Sequence, residues 1–337
     1  MTLPIKPPYP PMEALLVNEL PRGENWQYEP KWDGFRCLAF RDGENVELQS
    51  KSGQSLGRYF PETVEALQKL KASKFVIDGE LVITLNGDPS FDALLQRIHP
   101  AASRVTKLAK ETPSRLIVFD LLVNDQGKAI FDEPLAKRRQ KLDAFARKYF
   151  ARNKTIELSP HTSDDAIASS WLADPSVRLD GVIAKRLDLP YRSGERDGMQ
   201  KVKRMRTADC VIGGFRYASS GKIVGSLLLG LYDEEGLLHH VGFSSSFNEA
   251  EKKELTKLLT PLIQPPGFTG NRPGGPSRWS TKKTDEWQPL KTKLVAEVRY
   301  DHFTGGRFRH GTRFLRWRPE KKPKQCGFDQ LGKVQKK

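Results

Sequence analysis

The pattern of strand and helix signals changes near Thr207, and this change constrains the fold more than any other feature of this 337-residue chain. Before it, short β-like runs alternate with helical patterns, and this alternation predicts an α+β domain. The β-like runs are 46–49, 75–84, 115–123, 181–186 and 200–203, and the helical patterns are 61–71, 91–98, 134–149 and 163–172. A domain of about 200 residues is long enough to bury a core of its own.

After Thr207 the strand signals follow one another closely, with glycines between them. They fall at 210–215, 226–232, 237–243, 294–300 and 307–318, and one helical pattern falls at 248–259. Such closely spaced strands predict a small β-barrel, and the OB-fold is the barrel that most often binds nucleic acid. We therefore expect two domains, 1–206 and 207–337, with the Pro- and Gly-dense residues 260–280 as a long surface loop.

The chain has a net charge of +15, and its basic residues are concentrated at the C-terminal end. Residues 281–337 hold 16 Lys and Arg against 6 Asp and Glu, which predicts a polyanionic partner. The last lysines are typical of a solubilising tail. The arginines from Arg307 to Arg318, in contrast, alternate with apolar residues. This alternation predicts one strand with an apolar face in a core and a basic face toward phosphates.

Composition excludes several classes of protein. The three cysteines, Cys37, Cys210 and Cys326, are too far apart for a CxxC metal site, and their odd number cannot form a complete disulfide set. Apolar residues make up 37% of the chain, and no run approaches the roughly 18 residues of a membrane-spanning helix. The Pro-rich N-terminus lacks the apolar segment of a signal peptide, so we expect a cytoplasmic protein with no membrane partner.

The segment from Glu29 to Arg36 places Lys31 just before an Asp-Gly turn, where its amine can face a cleft. A lysine amine is a poor nucleophile at its free pKa of about 10.4, so a reactive lysine needs nearby cations or a metal ion. Taken alone, a lysine before such a turn is more often a solvated turn residue. Lys31 is therefore a candidate nucleophile that needs support from elsewhere in the chain.

Further ionisable residues stand at the ends of strand signals downstream. They occur in Asp78-Gly79-Glu80, in Phe119-Asp120, in the run from Asp180 to Lys185, and in Gln200-Lys201-Val202-Lys203. A strand period of two puts Lys201 and Lys203 on one face. Two lysines on one face repel each other unless they meet an anion such as a triphosphate. Each of these segments alone is typical of a strand end. Only their order along the chain indicates a function.

In this order the segments resemble the motifs of the covalent nucleotidyltransferase superfamily. The chain is most similar to the ATP-dependent DNA ligases in their minimal two-domain bacterial form, associated with break repair, and the resemblance runs from about residue 10 to residue 326. It implies an adenylation domain with antiparallel sheets followed by an OB-fold domain. It also implies that a lysine takes AMP from ATP and passes it to the 5′-phosphate at a nick, where the 3′-hydroxyl displaces it.

The resemblance gives roles to residues of the adenylation domain, with Lys31 as the catalytic nucleophile. Contacts with ATP are implied for Glu29 at adenine, Arg36 at the ribose, Phe119 stacked on adenine, Lys201 and Lys203 at the α-phosphate, and Lys51, Glu80 and Lys185. Lys51 stands where relatives more often have Arg, so it would contact phosphate as a point charge. Glu80 and Asp180 resemble the carboxylates that hold Mg²⁺ or Mn²⁺, although many relatives have Glu in place of Asp180.

In the second domain, Arg318 and Lys321 resemble the closing motif that orients pyrophosphate in the first step, with Glu320 at a position where relatives usually have Asp. Contacts with DNA are expected at Arg307, Arg309, Arg313 and Arg316. One rigid arrangement cannot serve both ATP and DNA, so a hinge is predicted within residues 203–209. The implied partners are nicked double-stranded DNA and a repair polymerase or end-binding factor, and the enzyme is expected to be a monomer at the nucleoid.

Two other interpretations remain open. An RNA ligase or an RNA-capping guanylyltransferase shares the Lys-x-Asp-Gly core of residues 31–34. A non-catalytic nucleic-acid-binding protein would use the barrel alone and keep a decayed nucleotide domain. The choice of nucleotide and acceptor distinguishes the first alternative, and a failure to bind AMP covalently would indicate the second.

Overall fold

The computed structural model describes residues 2–151, 153–174, 179–219, 221–274 and 286–331. The chain divides into two compact units, Met1–Arg204 and Met205–Lys337. Each unit contains a large hydrophobic core of its own. Within the described ranges, the helices are all too short or too polar to span a lipid bilayer.

Strands and helices alternate through the first unit. Its strands are β1 (Leu15–Leu16), β2 (Trp26–Lys31), β3 (Phe35–Asp42), β4 (Asn45–Ser50), β5 (Lys74–Val82), β6 (Thr84–Leu85), β7 (Asp88–Pro89), β8 (Arg115–Val123), β9 (Ile156–Leu158), β10 (Gly181–Arg186) and β11 (Met199–Lys203). Its helices are α1 (Pro61–Gln68), α2 (Phe91–Arg97), α3 (Ala102–Glu111), α4 (Leu135–Tyr149) and α5 (Asp165–Ala173), with a 3₁₀ turn at Gly57–Tyr59. The prediction of an α+β domain is confirmed.

Two sheets form the framework of the first unit. The larger sheet has the order β4-β3-β5-β8-β9, and the smaller has the order β1-β11-β10-β2. Neighbouring strands are antiparallel except for β8 with β9 and β1 with β11. A separate two-stranded ribbon joins β6 and β7. The predicted antiparallel sheets are therefore confirmed, with one parallel strand at an edge of each.

Strand β8 is covered on both faces. Leu116 and Val118 belong to the core that α1 and α4 cover, whereas Leu122 packs on the opposite face in the cluster that contains Leu3. A strand buried on both faces reads as a continuous apolar run and not as an alternation. The acidic residue within this run, Asp120, is neutralised by a buried ion pair with Arg138 of α4 at 2.9 Å.

The second unit consists mainly of strands. They are β12 (Arg206–Tyr217), β13 (Val224–Tyr232), β14 (Leu238–Ser244), β15 (Gln288–Pro289), β16 (Val295–Tyr300), β17 (Phe303–Thr304), β18 (Arg307–Phe308) and β19 (Arg313–Trp317). The helix α6 (Glu249–Leu259) follows β14, and 3₁₀ turns lie at Thr260–Leu262, Pro323–Gln325 and Phe328–Leu331. A capping box between Asn248 and Glu251 fixes the start of α6.

The strand order of the second unit is that of an OB-fold barrel. The main path runs β14-β13-β12-β16-β19, and β15 pairs with β12. The two ends of this path meet where Ser244 of β14 forms a bridge with Thr312, next to β19. There the Ser244 hydroxyl donates to the Thr312 carbonyl oxygen at 3.0 Å. The predicted OB-fold barrel is confirmed.

The prediction of one continuous strand over residues 307–318 is wrong. Strand β18 pairs with β17 in a hairpin, whereas β19 pairs with β16. Two consecutive residues of β16 face Phe314 and Arg316, so Leu315 between them is an extra residue in a β-bulge. Because of this bulge, both Phe314 and Trp317 pack against the barrel core, with ring centroids 5.0 Å apart. Strict alternation of faces does not allow that spacing.

The predicted surface loop over residues 260–280 is exposed along most of its described part, although it is tied to the barrel core. A 3₁₀ turn occupies Thr260–Leu262, and Phe268 is fully buried in the barrel core. The centroid of the Phe268 ring lies 5.4 Å from that of Trp287. Residues 275–280 of the prediction lie outside the described residues. The glycines and prolines therefore mark a segment that folds back onto the barrel.

Candidate active site

A cavity of about 190 Å³ lies in the first unit and is walled by both sheets. Strands β2, β10 and β11 of the smaller sheet and strands β3, β5 and β8 of the larger sheet contribute to its wall, together with residues 11–14. The predicted ATP-site residues that line it are Glu29, Lys31, Arg36, Lys51, Glu80, Phe119, Lys185 and Lys201. The fold therefore gathers these side chains from distant positions around one space.

The smaller sheet brings the predicted lysines onto one face. Lys31 on β2 pairs with Gly181 on β10, and Gly181 pairs with Lys203 on β11. Glu29 and Lys201 each lie two residues further along their strand, where they again lie side by side across β10. Residues directly opposite each other in a sheet share a face. Lys31, Lys201 and Lys203 therefore project from the same side of the sheet.

Two glycines allow close backbone contacts around Lys31. A Cβ atom on Gly181, which has a φ of +156°, would lie 2.0 Å from the carbonyl oxygen of Val202. A Cβ atom on Gly34 would lie 2.1 Å from the carbonyl oxygen of Leu81. The Asp-Gly turn after Lys31 therefore packs directly onto the end of β5, which a larger residue would prevent.

The amine of Lys31 forms an ion pair with the carboxylate of Asp180. The backbone supports this contact, because the Asp180 amide donates to the Lys31 carbonyl oxygen at 3.1 Å. The Lys31 side chain is 21% exposed and that of Asp180 is 3% exposed. The predicted metal ligand Asp180 is therefore shielded from water and touches the candidate nucleophile.

Arg36 is held by a buried carboxylate on β5. Its Nε and Nη2 atoms each donate to one oxygen of Asp78 at 2.6 Å, and Nη2 also donates to the Met12 carbonyl oxygen at 3.2 Å. Asp78 is fully buried and accepts a further hydrogen bond from the Tyr191 hydroxyl at 2.7 Å. A bidentate pair removed from water fixes the plane of the guanidinium group.

Phe119 reaches the cavity through a β-bulge in β8. Two consecutive residues of β5 face Val118 and Asp120, so Phe119 between them is an extra residue. The guanidinium carbon of Arg36 and the Nζ atom of Lys185 each lie 4.6 Å from the centroid of its ring. These cation–π contacts hold the ring at the cavity wall.

Glu29 of β2 is a fixed anion in the cavity wall. Its Oε2 atom lies 2.8 Å from Nζ of Lys185, and its Oε1 atom accepts a hydrogen bond from the Gln27 amide at 2.7 Å. Arg139 of α4 approaches the same Oε1 atom at 3.8 Å. All four side chains are buried. A carboxylate with these partners in a dry environment has a defined orientation.

Burial changes the acid–base behaviour of two cavity residues. It raises the pKa of Glu80 to about 7, although the nearby charges of Arg36 and Lys31 favour the ionised form. Burial also lowers the pKa of Lys201, and the positive charges of neighbouring lysines lower it further. The cavity therefore combines a carboxylate that ionises near neutral pH with a concentration of positive charge.

Arg318 and Lys321 lie in the second unit, where one carboxylate holds both. Nη1 of Arg318 donates to the two oxygens of Asp209 at 2.8 and 3.1 Å, and Nζ of Lys321 donates to Asp209 at 2.7 Å. Nε of Arg318 also donates to Glu320. Asp209 on β12 therefore positions the two basic residues of the predicted closing motif relative to each other.

The four arginines predicted to contact DNA do not share one strand. Arg307 is on β18, Arg309 follows it in a turn, and Arg313 and Arg316 are on β19. The side chain of Arg316 is 63% exposed and forms an ion pair with Glu297 of β16 at 2.7 Å. The predicted single basic strand face is therefore absent from this described segment, while the role of the four arginines in DNA binding stays a prediction.

Some residues of the site were missed by sequence reasoning because their importance lies in their partners. Asp78 orients Arg36, Tyr191 orients Asp78, and Asp209 holds Arg318. A signal for Asp78 does exist, because an acidic residue inside an apolar strand needs a cation beside it. Tyr191 and Asp209 carry no comparable pattern in their own neighbourhoods.

Comparisons with known proteins show the family to which the chain is similar. The ATP dependent DNA ligase domain profile matches residues 12–203, and the ATP dependent DNA ligase C terminal region profile matches residues 220–321. DNA ligase C1 of Mycolicibacterium smegmatis is 44% identical to this chain, covering 98% of the chain and 96% of that protein.

A second relative and a solved structure extend the likeness. The multifunctional non-homologous end joining protein LigD of Mycobacterium bovis is 32% identical, covering 90% of this chain and 37% of that protein. The crystal structure of the ligase domain of M. tuberculosis LigD superposes with a TM-score of 0.50 at 29% identity, covering 94% of this chain and 97% of that domain. Because the matched regions span most of its length, the chain belongs to the family of ATP-dependent DNA ligases.

Proposed function

We propose that this protein seals nicks in duplex DNA with ATP, through an AMP intermediate carried on Lys31. The observation that carries the proposal is the position of the Lys31 amine in a cavity that also presents Phe119 and Lys201. A nucleoside triphosphate needs an aromatic surface for its base and cations for its phosphates. Membership of an ATP-dependent family supports ATP as the nucleotide.

In the first step, the neutral amine of Lys31 attacks the α-phosphorus of ATP. A nitrogen–phosphorus bond forms, and the bond from phosphorus to the leaving pyrophosphate breaks. Adenine stacks on Phe119 with Glu29 at its polar edge, while Lys201 and Lys203 neutralise the α-phosphate. The side-chain positions support these roles, because Phe119, Glu29 and Lys201 line the same cavity as Lys31.

In the later steps, AMP moves from Lys31 to the DNA. The 5′-phosphate at the nick attacks the phosphorus of the lysyl-AMP, which breaks the nitrogen–phosphorus bond. The 3′-hydroxyl then attacks the 5′-phosphorus, AMP leaves, and a phosphodiester bond closes the strand. Arg36 contacts the ribose and then the nick phosphate, and its bidentate pair with Asp78 supports a fixed orientation throughout.

A divalent cation, Mg²⁺ or Mn²⁺, is proposed at Glu80 and Asp180. Carboxylate oxygens are the hard ligands that both ions prefer, so the donors fit. A carboxylate whose pKa burial raises to about 7, as in Glu80, gains from a cation beside it. When bound, such an ion neutralises charge on the phosphate oxygens. Asp180 already touches the Lys31 amine, which supports its assignment to the reacting end of the cavity.

We assign nucleotide chemistry to residues 1–206 and DNA binding largely to residues 207–337. Arg318 and Lys321 belong to a different compact unit from Lys31, yet are proposed to orient pyrophosphate in the first step. Strand β11 ends at Lys203 and β12 begins at Arg206, so the connection is short. A hinge within residues 203–209 would let the barrel turn between AMP loading and sealing.

The proposed partner is nicked double-stranded DNA, bound through backbone phosphates by Arg307, Arg309, Arg313 and Arg316. A sealing enzyme accepts any sequence, so phosphate contacts should dominate and affinity should fall steeply with salt. The name of the relative LigD refers to non-homologous end joining, which supports a role in DNA repair with an end-binding factor or repair polymerase. We further propose that the enzyme acts as a monomer and that its DNA substrate brings it to the nucleoid in the cytoplasm.

Labelling with α-labelled ATP and Mg²⁺ tests the proposal on protein first stripped of AMP with pyrophosphate. The wild type should retain label after denaturation, and Lys31→Ala should retain none. Lys128→Ala removes an exposed lysine outside the cavity and should label like the wild type. Nicked duplex DNA should then remove the label from the wild type and become sealed. Label on Lys31→Ala, or labelling by GTP in place of ATP, would contradict the proposal.

A further inference from the structure

We infer that Gln27 determines the preference for adenine over guanine, because its amide holds the carboxylate of Glu29 in one orientation at the cavity wall. The inference rests on the proposed function, which places Glu29 at the polar edge of adenine. Glu29 lines the cavity, whereas Gln27 lies behind it and does not. Gln27 is therefore a positioning residue that acts on the base through Glu29.

Strand β2 places Gln27, Glu29 and Lys31 on one face, because side chains two residues apart in a strand point to the same side. Across the ladder, Gln27 lies opposite Lys185 of β10, and Glu29 lies opposite Ile183. Gln27 is 3% exposed and Glu29 is 2% exposed. The row therefore leads from the candidate nucleophile to a buried end of the cavity, where water competes little for polar contacts with a base.

Three side chains compete for the carboxylate of Glu29. The Gln27 amide donates to Oε1 at 2.7 Å, and Nζ of Lys185 lies 2.8 Å from Oε2. Nη1 of Arg139 lies 3.8 Å from Oε1, beyond hydrogen-bond distance, and has no hydrogen-bond partner within the described residues. A buried N–H group without a partner is costly, so Arg139 would take Oε1 if Gln27 released it. Gln27 therefore keeps the carboxylate from turning to Arg139.

Adenine and guanine present different edges to a fixed carboxylate. An ionised carboxylate only accepts hydrogen bonds. The 6-amino group of adenine donates to such an acceptor, whereas the 6-carbonyl oxygen of guanine is repelled by it. Guanine carries its donors at N1 and N2, so the carboxylate has to turn or shift to reach them. Glu29 is held at both oxygens, by Gln27 and by Lys185, and the site should therefore reject guanine.

Gln49 of β4 provides a matched control. It is 1% exposed, and its side-chain amide exchanges two hydrogen bonds of 2.8 Å with the backbone of Tyr9. Gln49 does not line the cavity. Gln49→Met therefore removes a buried amide, as Gln27→Met does, and leaves the contacts of Glu29 in place. Any effect of lost stability alone should appear in both variants.

The test compares loading of AMP and GMP on protein stripped with pyrophosphate. Gln27→Met keeps a side chain of similar size and removes the donor to Glu29. Its KM for ATP should rise about tenfold, while the loading rate at saturating ATP should stay near that of the wild type. The ratio of loading efficiency with ATP to that with GTP should fall about tenfold. Gln49→Met should keep the wild-type ratio.

Purine riboside triphosphate, which lacks the 6-amino group, tests whether Gln27 acts through that group. Compared with ATP, it should load the wild type about tenfold less efficiently, because the acceptor on Glu29 is left without its donor. The loss in Gln27→Met should be less than about threefold, since that variant no longer holds an acceptor in place. Equal losses in the two proteins would overturn the inference.

A wild-type ratio of ATP to GTP loading in Gln27→Met would also overturn the inference, whether or not the KM rises. So would a loss of the loading rate at saturating ATP with an unchanged ratio, because Gln27 would then support the fold of the whole site. Failure of the proposed function looks different: the wild type itself would load no AMP from ATP.

Discussion

The cavity of the first unit and the basic end of the barrel use positive charge in different ways. In the cavity, Arg36 is bound by the fully buried Asp78, and Lys185 by Glu29, which is 2% exposed. In the barrel, Arg316 pairs with Glu297 but is 63% exposed. Buried pairs hold one orientation and resist salt, whereas exposed pairs are screened and exchange easily. The proposed chemistry thus depends on fixed cations, and the proposed DNA binding on exchangeable ones.

Asp209 of the barrel holds its two cations much as Asp78 holds Arg36, whose side chain is 19% exposed. It is 8% exposed, yet its partners Arg318 and Lys321 have side chains that are each 22% exposed. One buried carboxylate therefore orients two cations that remain accessible to a ligand. This arrangement suits groups that meet pyrophosphate in one step and are released in the next.

The largest expected effect is the loss of a buried pair in the cavity. Asp78→Ala leaves the mostly buried guanidinium of Arg36, whose side chain is 19% exposed, without its bidentate partner, so the free energy of unfolding of the first unit should fall by about 3–5 kcal/mol. Urea denaturation at low and high salt measures this loss, which should be nearly independent of salt. Glu65→Ala, which removes an exposed pair with Lys69, is the control and should leave the unfolding midpoint unchanged. A loss below about 1 kcal/mol would contradict the role of burial.

A second effect should appear in the barrel as the pH falls. Burial, together with the charges of Arg307 and Arg216, lowers the pKa of His240 to about 3. The unfolded chain binds a proton near pH 6.5 that the folded barrel takes up only near pH 3, so stability falls as the pH decreases between these values. Between pH 7.5 and 5 the loss should be roughly 2 kcal/mol.

Urea denaturation of the wild type and of His240→Phe at both pH values measures this contribution. The variant keeps an aromatic ring in the core but has no group to titrate, so its stability should change less over the same range. Equal pH dependence in the two proteins would show that His240 is not the responsible group.

A third effect should separate the catalytic steps. Asp209→Asn weakens the hold on Arg318 and Lys321, so AMP loading should slow by on the order of tenfold. Sealing of a nick that already carries AMP should proceed at the wild-type rate, because pyrophosphate takes no part in it. Single-turnover rates for the two reactions provide the measurement, with Asp329→Asn, an exposed residue of the same unit, as the control. Equal slowing of both reactions would contradict a role confined to the first step.

The smallest effect is expected for an exposed arginine of the barrel. Arg316→Ala should weaken binding of nicked DNA a few-fold and reduce the salt slope by about 0.9, equally for all DNA sequences. Folding stability should change by less than about 1 kcal/mol. Arg115→Ala, which removes a partly exposed pair with Glu157 in the first unit, should leave DNA binding unchanged. Sequence-dependent losses would argue against phosphate contact by Arg316.

The sequence predicts some of the strands that carry the site and misses others. The predicted runs 115–123 and 181–186 coincide with β8 and β10. Strands β2 and β3 were not predicted, because Glu29 and Lys31 interrupt the apolar pattern of one and Arg36 that of the other. Local rules fail most often where charged functional residues occupy strands, since ion pairs from elsewhere compensate them.

The order of the motifs predicts the candidate residues around the cavity. It does not predict the residues that position them. Tyr191 lies 113 positions from Asp78 in the chain, and only the folded sheet brings its hydroxyl to that carboxylate. β-Bulges also direct side chains to places that the strand pattern does not predict. The extra residue Phe119 in β8 points a ring into the cavity, and Leu315 in β19 breaks the predicted alternation of the basic strand. Periodicity cannot locate a bulge, because it assumes a constant register.

Peptide mapping of the covalent AMP adduct tests the central claim most directly. Protein stripped with pyrophosphate and reloaded with ATP should carry AMP on Lys31, and nicked duplex DNA should remove it as the strand is sealed. AMP on another cavity lysine, such as Lys51, Lys185 or Lys201, would contradict the assignment of the nucleophile. A folded protein that carries no AMP on any lysine would contradict the catalytic function itself.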